Sequence, residues 1–173
     1  DLVQTASQGA GIGSRTRAIA CGGTPSSPGG TNNIDFATIA STGNFADFGD
    51  MVAVGFSRVA VANQTRGVVL GNAVAPQALN NIEHLTIAST GSANDFGDCT
   101  IGRQEAGAAG NATRAIVLGG SYPDASIDYV TISTTGNAAD FGDCSTVIWN
   151  TRGGNCGNAI RGLIAGGGDS LPT

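Results

Sequence analysis

A nine-residue stretch recurs three times in this chain: TGNFADFGD ending at Asp50, TGSANDFGD ending at Asp98 and TGNAADFGD ending at Asp143. A motif that returns at a near-fixed interval is architecture before it is chemistry, because each copy marks a unit that must bury its apolar surface against the next. Its Asp-Phe-Gly core is also the metal-binding signature of protein kinases, which need one such site together with a strand lysine and an HRD loop. This chain has no lysine and no HRD sequence; all eight of its basic residues are arginines. The kinase reading fails, and the spacing becomes a ruler for repeats.

Aligned on the motif, the chain divides into residues 1–49, 50–97 and 98–142, with a partial fourth unit over 143–173, and Asp1 falls in the place of Asp50, Asp98 and Asp143. Each unit begins with a variable segment, such as FSRVAVANQ or GRQEAGAAGNA. An Arg-led apolar run follows: RAIACGG from Arg17, RGVVLGN from Arg66, RAIVLGG from Arg114 and RGLIAGGG from Arg161. These runs are short, partly β-branched and stopped by glycine, which predicts strands ending in tight turns. Next comes NIDFATIAST, NIEHLTIAST or SIDYVTISTT, whose alternation has the period of a strand with one buried face. Abundant Gly, Thr, Asn and Asp with little Glu favours strands and turns over helices. A unit of 45 to 49 residues without helical periodicity fits a four-stranded propeller blade. The expected order is an outer variable strand, the Arg-led strand, the Ile-Asp-Tyr strand and the Asp-Phe-Gly-Asp segment. About three and a half blades do not close a ring, so the pattern is expected to be part of a larger propeller or one completed by another copy.

The glycine-terminated apolar strand followed by an aromatic position (Phe36, His84, Tyr129) resembles the kelch blade. It is still more similar to the kelch-like arrays of virion structural and tail-fibre proteins of tailed phages, especially marine and cyanobacterial ones. The resemblance spans essentially the whole chain. Kelch blades carry a late Trp where this sequence has Phe48, Phe96 and Phe141, and its lone Trp149 lies elsewhere. The resemblance implies a non-enzymatic structural or adhesion module in an extracellular particle. Its implied partners are other virion proteins, further copies of itself, or a host-surface glycan or receptor.

The remaining residues are read from their chemistry. Asp47, Asp50, Asp95, Asp98, Asp140 and Asp143 offer oxygen donors to Ca²⁺, but a calcium loop packs more carboxylates and ends in a bidentate Glu. The favoured expectation is that these acids accept backbone N–H groups in turns while Phe48, Phe96 and Phe141 anchor the blades, with no bound cofactor. Arg17, Arg66, Arg114 and Arg161 are expected to pair with those aspartates, one charge-assisted contact per blade. His84 stands at the aromatic position, so a packed ring is expected. Cys21, Cys99 and Cys144 replace apolar residues at repeat positions and are expected as buried thiols, with Cys144–Cys156 the one candidate bridge. The segments after each Gly-Gly position differ between units and are expected to cluster on one face. They supply the candidate binding residues Pro25, Pro28, Pro76, Tyr122 and Pro123, joined by Trp149.

A net charge of -5 with no basic cluster excludes the positive footprint of a nucleic-acid binder. No run approaches the roughly 18 apolar residues of a helical membrane span. A cellular kelch-type adaptor and a glycan-acting propeller enzyme are the rival readings. The enzyme would need a metal set or an acid pair outside the repeat, and the sequence shows neither.

Overall fold

A computed structural model describes residues 1–4, 6–26, 29–120, 124–148, 150–151, 155–165 and 167–168. All regular elements among the described residues are strands. Strands β1 (Ala10–Gly13), β2 (Arg17–Ser26), β3 (Gly29–Thr38) and β4 (Ala46–Gly55) form the first antiparallel sheet. The second contains β5 (Val59–Ala62), β6 (Arg66–Val74), β7 (Gln77–Thr86) and β8 (Asn94–Asp98). The third contains β9 (Gly107–Gly110), β10 (Arg114–Leu118), β11 (Ser126–Thr131) and β12 (Ala139–Asp143). A two-stranded ribbon, β13 (Asn155–Gly157) with β14 (Gly162–Ile164), follows. Each four-stranded sheet is an open meander with strands in chain order, and none closes on itself.

The sheets pack face to face through two cores. Ile12, Ile19, Cys21, Ile34, Phe48 and Met51 of the first sheet meet Val69, Leu85, Ile87 and Ala93 of the second. Val68, Leu70, Ile82 and Phe96 of the second meet Ala115, Val117, Val130 and Ile132 of the third. Strand β6 explains its own composition: Val69 serves one core while Val68 and Leu70 serve the other, so the run must be apolar on both faces. The first strands meet one another, β1 against β5 and β5 against β9. They are the edge strands along which successive sheets meet.

Gly22 and Gly71, which close the apolar runs, do not end the Arg-led strands in the first two sheets. Gly22 and Gly71 adopt φ of 59° and 67°, and the pairing register shifts there between Cys21 and Gly23 and between Leu70 and Asn72. A left-handed glycine lets one extra residue leave the ladder as a bulge, after which pairing resumes. Strand β2 thus continues to Ser26 and β6 to Val74, converting expected loops into long hairpin arms. Strand β4 likewise runs through the Asp-Phe-Gly-Asp motif to Gly55, past the unit boundary drawn at residues 49 and 50.

Candidate functional site

The repeated motif forms the joints between sheets. In each sheet the last strand bulges opposite Ile34–Asp35, Ile82–Glu83 or Ile127–Asp128, which leaves Phe48, Phe96 and Phe141 out of the ladder register. The Phe48 carbonyl accepts from the Gly91 amide at 2.7 Å, and the Phe96 carbonyl accepts from Gly136 at 2.7 Å. One residue pair further on, the Asp50 amide donates to Ser92 Oγ at 3.3 Å and Asp98 to Asn137 Oδ1 at 3.0 Å. The Asp50 and Asp98 carbonyls accept from Ala93 and Ala138, each at 2.8 Å. Asp1 makes the same pair of contacts, its amine to Asn44 Oδ1 at 2.8 Å and its carbonyl to the Phe45 amide at 2.9 Å. Phe48 and Phe96 are each 2% exposed and meet Phe36 and His84 edge to face. Phe141 makes the equivalent contact with Tyr129 but is 51% exposed.

The side chains of Asp47, Asp50, Asp95, Asp98, Asp140 and Asp143 lie at the surface. Asp140 accepts a turn amide, that of Gly142, at 3.0 Å. Among the described residues, no three His, Cys, Asp or Glu side chains are grouped so as to hold a metal ion.

The strand-leading arginines do not pair with these acids. Arg17 Nη1 donates to the Ile87 carbonyl at 2.8 Å, and Arg66 Nη1 to the Ile132 carbonyl at 3.0 Å, each reaching into the following sheet. Arg17 also lies over the Phe36 ring at 4.8 Å, and Arg114 over the Tyr129 ring at 4.4 Å. Backbone carbonyls and aromatic faces satisfy guanidinium groups that the exposed aspartates, turned to solvent, do not reach. Arg161 is exposed in the turn between β13 and β14, its amide donating to Asn158 Oδ1 at 2.8 Å.

The ion pairs among the described residues are buried and involve other arginines. Arg58 meets Glu83 at 3.3 Å, and Arg103 meets Asp128 at 3.4 Å. Glu83 also accepts the amides of Val52 and Ala53, and Asp128 accepts the amide and hydroxyl of Thr100. Glu83 therefore holds the end of β4, and Asp128 holds the segment between β8 and β9. Burial pulls Arg58 below its ordinary value, and the Glu83 carboxylate opposes that shift. Asp35 stands in the same place in the first sheet, accepts the Val3 amide at 3.0 Å, and makes no ion pair among the described residues.

One end of the sheets carries the features suited to contact. There Ser7 bridges Thr24 and Phe56 bridges Ala73, so each linker runs along the base of a hairpin arm. Pro25 is exposed near the end of the β2–β3 arm, and Pro76 is exposed in the β6–β7 turn, beside Val74 at 47% exposure. Pro28, Tyr122, Pro123 and Trp149 lie outside the described residues. Beside the arms, a cleft of about 440 Å³ opens between β1, β5 and the start of β9, bordered by Gln8, Ser57 and Glu105. These three residues share a left-handed backbone, with φ between 55° and 58°. The Ser57 amide donates to the Gln8 carbonyl and the Glu105 amide to the Ser57 carbonyl, at 2.9 and 3.1 Å.

Nothing in the sequence marks this border, since Gln, Ser and Glu are not the residues that announce a left-handed turn. Arg58 and Arg103 were hidden for a related reason: they sit in linkers of different length, at different distances from Asp50 and Asp98.

Cys21 and Cys99 are buried free thiols, pushed up to about 12 by desolvation. Cys144 is also free but only half-buried, short of the buried thiol expected there, and desolvation raises its pKa too; the side chain of Cys156, its candidate bridge partner, lies outside the described residues. His84 is lowered by desolvation and then by Arg66, as suits a packed neutral ring. No protein-family model and no curated protein matches the chain.

Proposed function

We propose that this chain is a non-enzymatic structural and adhesion module of a phage virion, in a tail, tail fibre or decoration protein, and that its sheets are consecutive blades of a kelch-like propeller. The observation that carries this reading is the contrast between the joints and the arms. Two sheet-to-sheet joints repeat the same three hydrogen bonds. The hairpin arms, by contrast, carry unrelated sequences at one common end, TPSSPGGTN in one and AVAPQAL in the other. A fixed scaffold with variable tips at one end is how binding surfaces are built on repeat folds. Face-to-face meanders with their first strands in mutual contact support the propeller.

The proposed partners are neighbouring virion proteins, further copies of the chain, or a host-surface glycan or receptor at the arm tips and cleft. No metal or cofactor enters this role. The test has two arms. Antibody raised against the chain should label intact particles, and labelled chain should bind host cells. Replacing Pro76 and Gln77 in the exposed β6–β7 turn should weaken cell binding several-fold without changing the melting temperature. Release of reducing sugar from host glycans, or particles that never take up the antibody, would sink the proposal.

A further inference from the structure

The third sheet ends in the same joint chemistry as the first two, with nothing from another sheet docked on it among the described residues. Gly49 and Gly97 have φ of 142° and 141°, and a Cβ on either would lie 2.6 or 2.5 Å from the backbone of Gly91 or Gly136. Gly142 keeps the conformation, at φ 131°, but a Cβ there would meet nothing within 4 Å. Phe141 is left 51% exposed where Phe48 and Phe96 are sealed. Arg114 lies over its own Tyr129 ring, whereas Arg17 and Arg66 also reach an isoleucine carbonyl of the following sheet. The ribbon covers the β9 and β10 side of this face, with Gly162 against Ala109 and Ile116. Beyond it a gap of about 160 Å³ remains, bordered by Arg114, Ile116, Phe141, Ile160 and Arg161. Among the described residues β14 pairs with β13 alone, while β2, β6 and β10 are each paired on both sides.

The geometry points to this face, from Phe141 to Asp143 together with the outer edge of β14, as a docking site for an extended strand–loop segment of the type Thr-Ile-x-x-Thr-Gly-(Asn or Ser)-Ala. The two covered joints specify the chemistry of each position. An isoleucine carbonyl takes the Arg114 guanidinium. A glycine amide donates to the Phe141 carbonyl: the corresponding Gly91 and Gly136 hold φ of 150° and 152°, a backbone that residues with side chains rarely adopt, while the bare Cα of Gly142 leaves room for the approach. An Asn or Ser side chain accepts the Asp143 amide, and the following amide donates to the Asp143 carbonyl. The strand preceding this loop pairs with β14, as β7 pairs with β6, so addition at a sheet edge and an aromatic anchor act together. The inference stands on the joint geometry and is independent of the virion reading.

The probe is a fluorescent peptide with the sequence of residues 80–98, titrated into the intact chain and followed by anisotropy. Saturable binding is expected, weakened about tenfold or more by Phe141→Ala in the protein, as for an aromatic anchor. A Gly91→Pro change in the peptide, which removes the donor amide, should weaken it by a similar factor. Phe141 is exposed, so its replacement leaves the fold intact, and matching melting curves check this. Absence of saturable binding up to about 1 mM, a limit corresponding to very weak association, overturns the proposal. So does equal binding of the Gly91→Pro peptide. A dimer of the chain that Phe141→Ala dissolves and that the peptide does not displace also overturns it, by assigning the face to a second copy.

Discussion

Glu83 and Asp128 are buried acids that each hold an arginine and backbone amides arriving from the preceding sheet or linker, while Asp35 holds the Val3 amide with no ion pair among the described residues. Removing one charge of a buried pair leaves the other uncompensated, at a cost of about 3–5 kcal/mol. Glu83→Gln and Asp128→Asn should therefore each lower stability by that order. Asp35→Asn, which strands no cation, should cost about 1 kcal/mol or less, on the scale of a single hydrogen bond. Urea midpoints at constant slope would decide it, and equal losses at all three sites would remove the ion pair as the cause. Cys21 and Cys99 give a second prediction. Both thiols titrate near 12 when folded, against an ordinary value of 9.0. Above pH 9 the unfolded chain gives up protons that the folded chain keeps. Their stabilisation is thus fully present below that pH and is lost as pH rises toward 12, by up to about 1.4 kcal/mol per pH unit and thiol. Cys21→Val should flatten the alkaline limb of a stability–pH curve, and an unchanged limb would refute the assignment. At this scale the sequence was informative where residues recur in column. The aromatic column and the buried Cys21 and Cys99 could be read from it, though not the half-buried Cys144; the partners of Arg17 and Arg66 could not, because a backbone carbonyl leaves no trace in residue identity.

Among elements, the bulged last strands set the joints, and their glycines separate two kinds of constraint. Gly97 is held by both its left-handed backbone and the Gly136 main chain against it, but Gly142 is held by backbone alone. Gly142→Ala should cost about 1–3 kcal/mol of conformational strain. Gly97→Ala should cost more, because the second joint must also open, and differential melting of the two variants measures the difference. The strand order within each sheet followed from alternation and glycine punctuation. The long β2–β3 and β6–β7 arms did not, since Gly22 and Gly71 look like strand ends until the register shift shows pairing resuming beyond them. The turns before the Arg-led strands were equally silent. Asn63 and Asn111 each accept two backbone amides within their own turn and donate to the Ala112 and Ala159 carbonyls of the following turn.

For the molecule as a whole, each sheet touches mainly its neighbours, so local stability should follow position in the stack. Amides of β12, whose Phe141 is exposed, should exchange with solvent faster than the corresponding amides of β8, whose Phe96 is sealed between two sheets. Hydrogen exchange resolved by residue tests this, and equal protection in β8 and β12 would contradict it. The all-β stacking of meanders was legible from the repeat, whereas ring closure is a property of how many sheets assemble, which no single repeat encodes. The joints carry one more consequence, for how such a chain changes length over time. Each joint is made from the tail of one unit and the loop of the next, and both are nearly the same words in every copy. Unequal crossing-over between DNA segments encoding the Asp-Phe-Gly-Asp motif would add or remove a whole sheet while leaving every junction chemically unchanged, so the array can lengthen in a single genetic step without any core being redesigned.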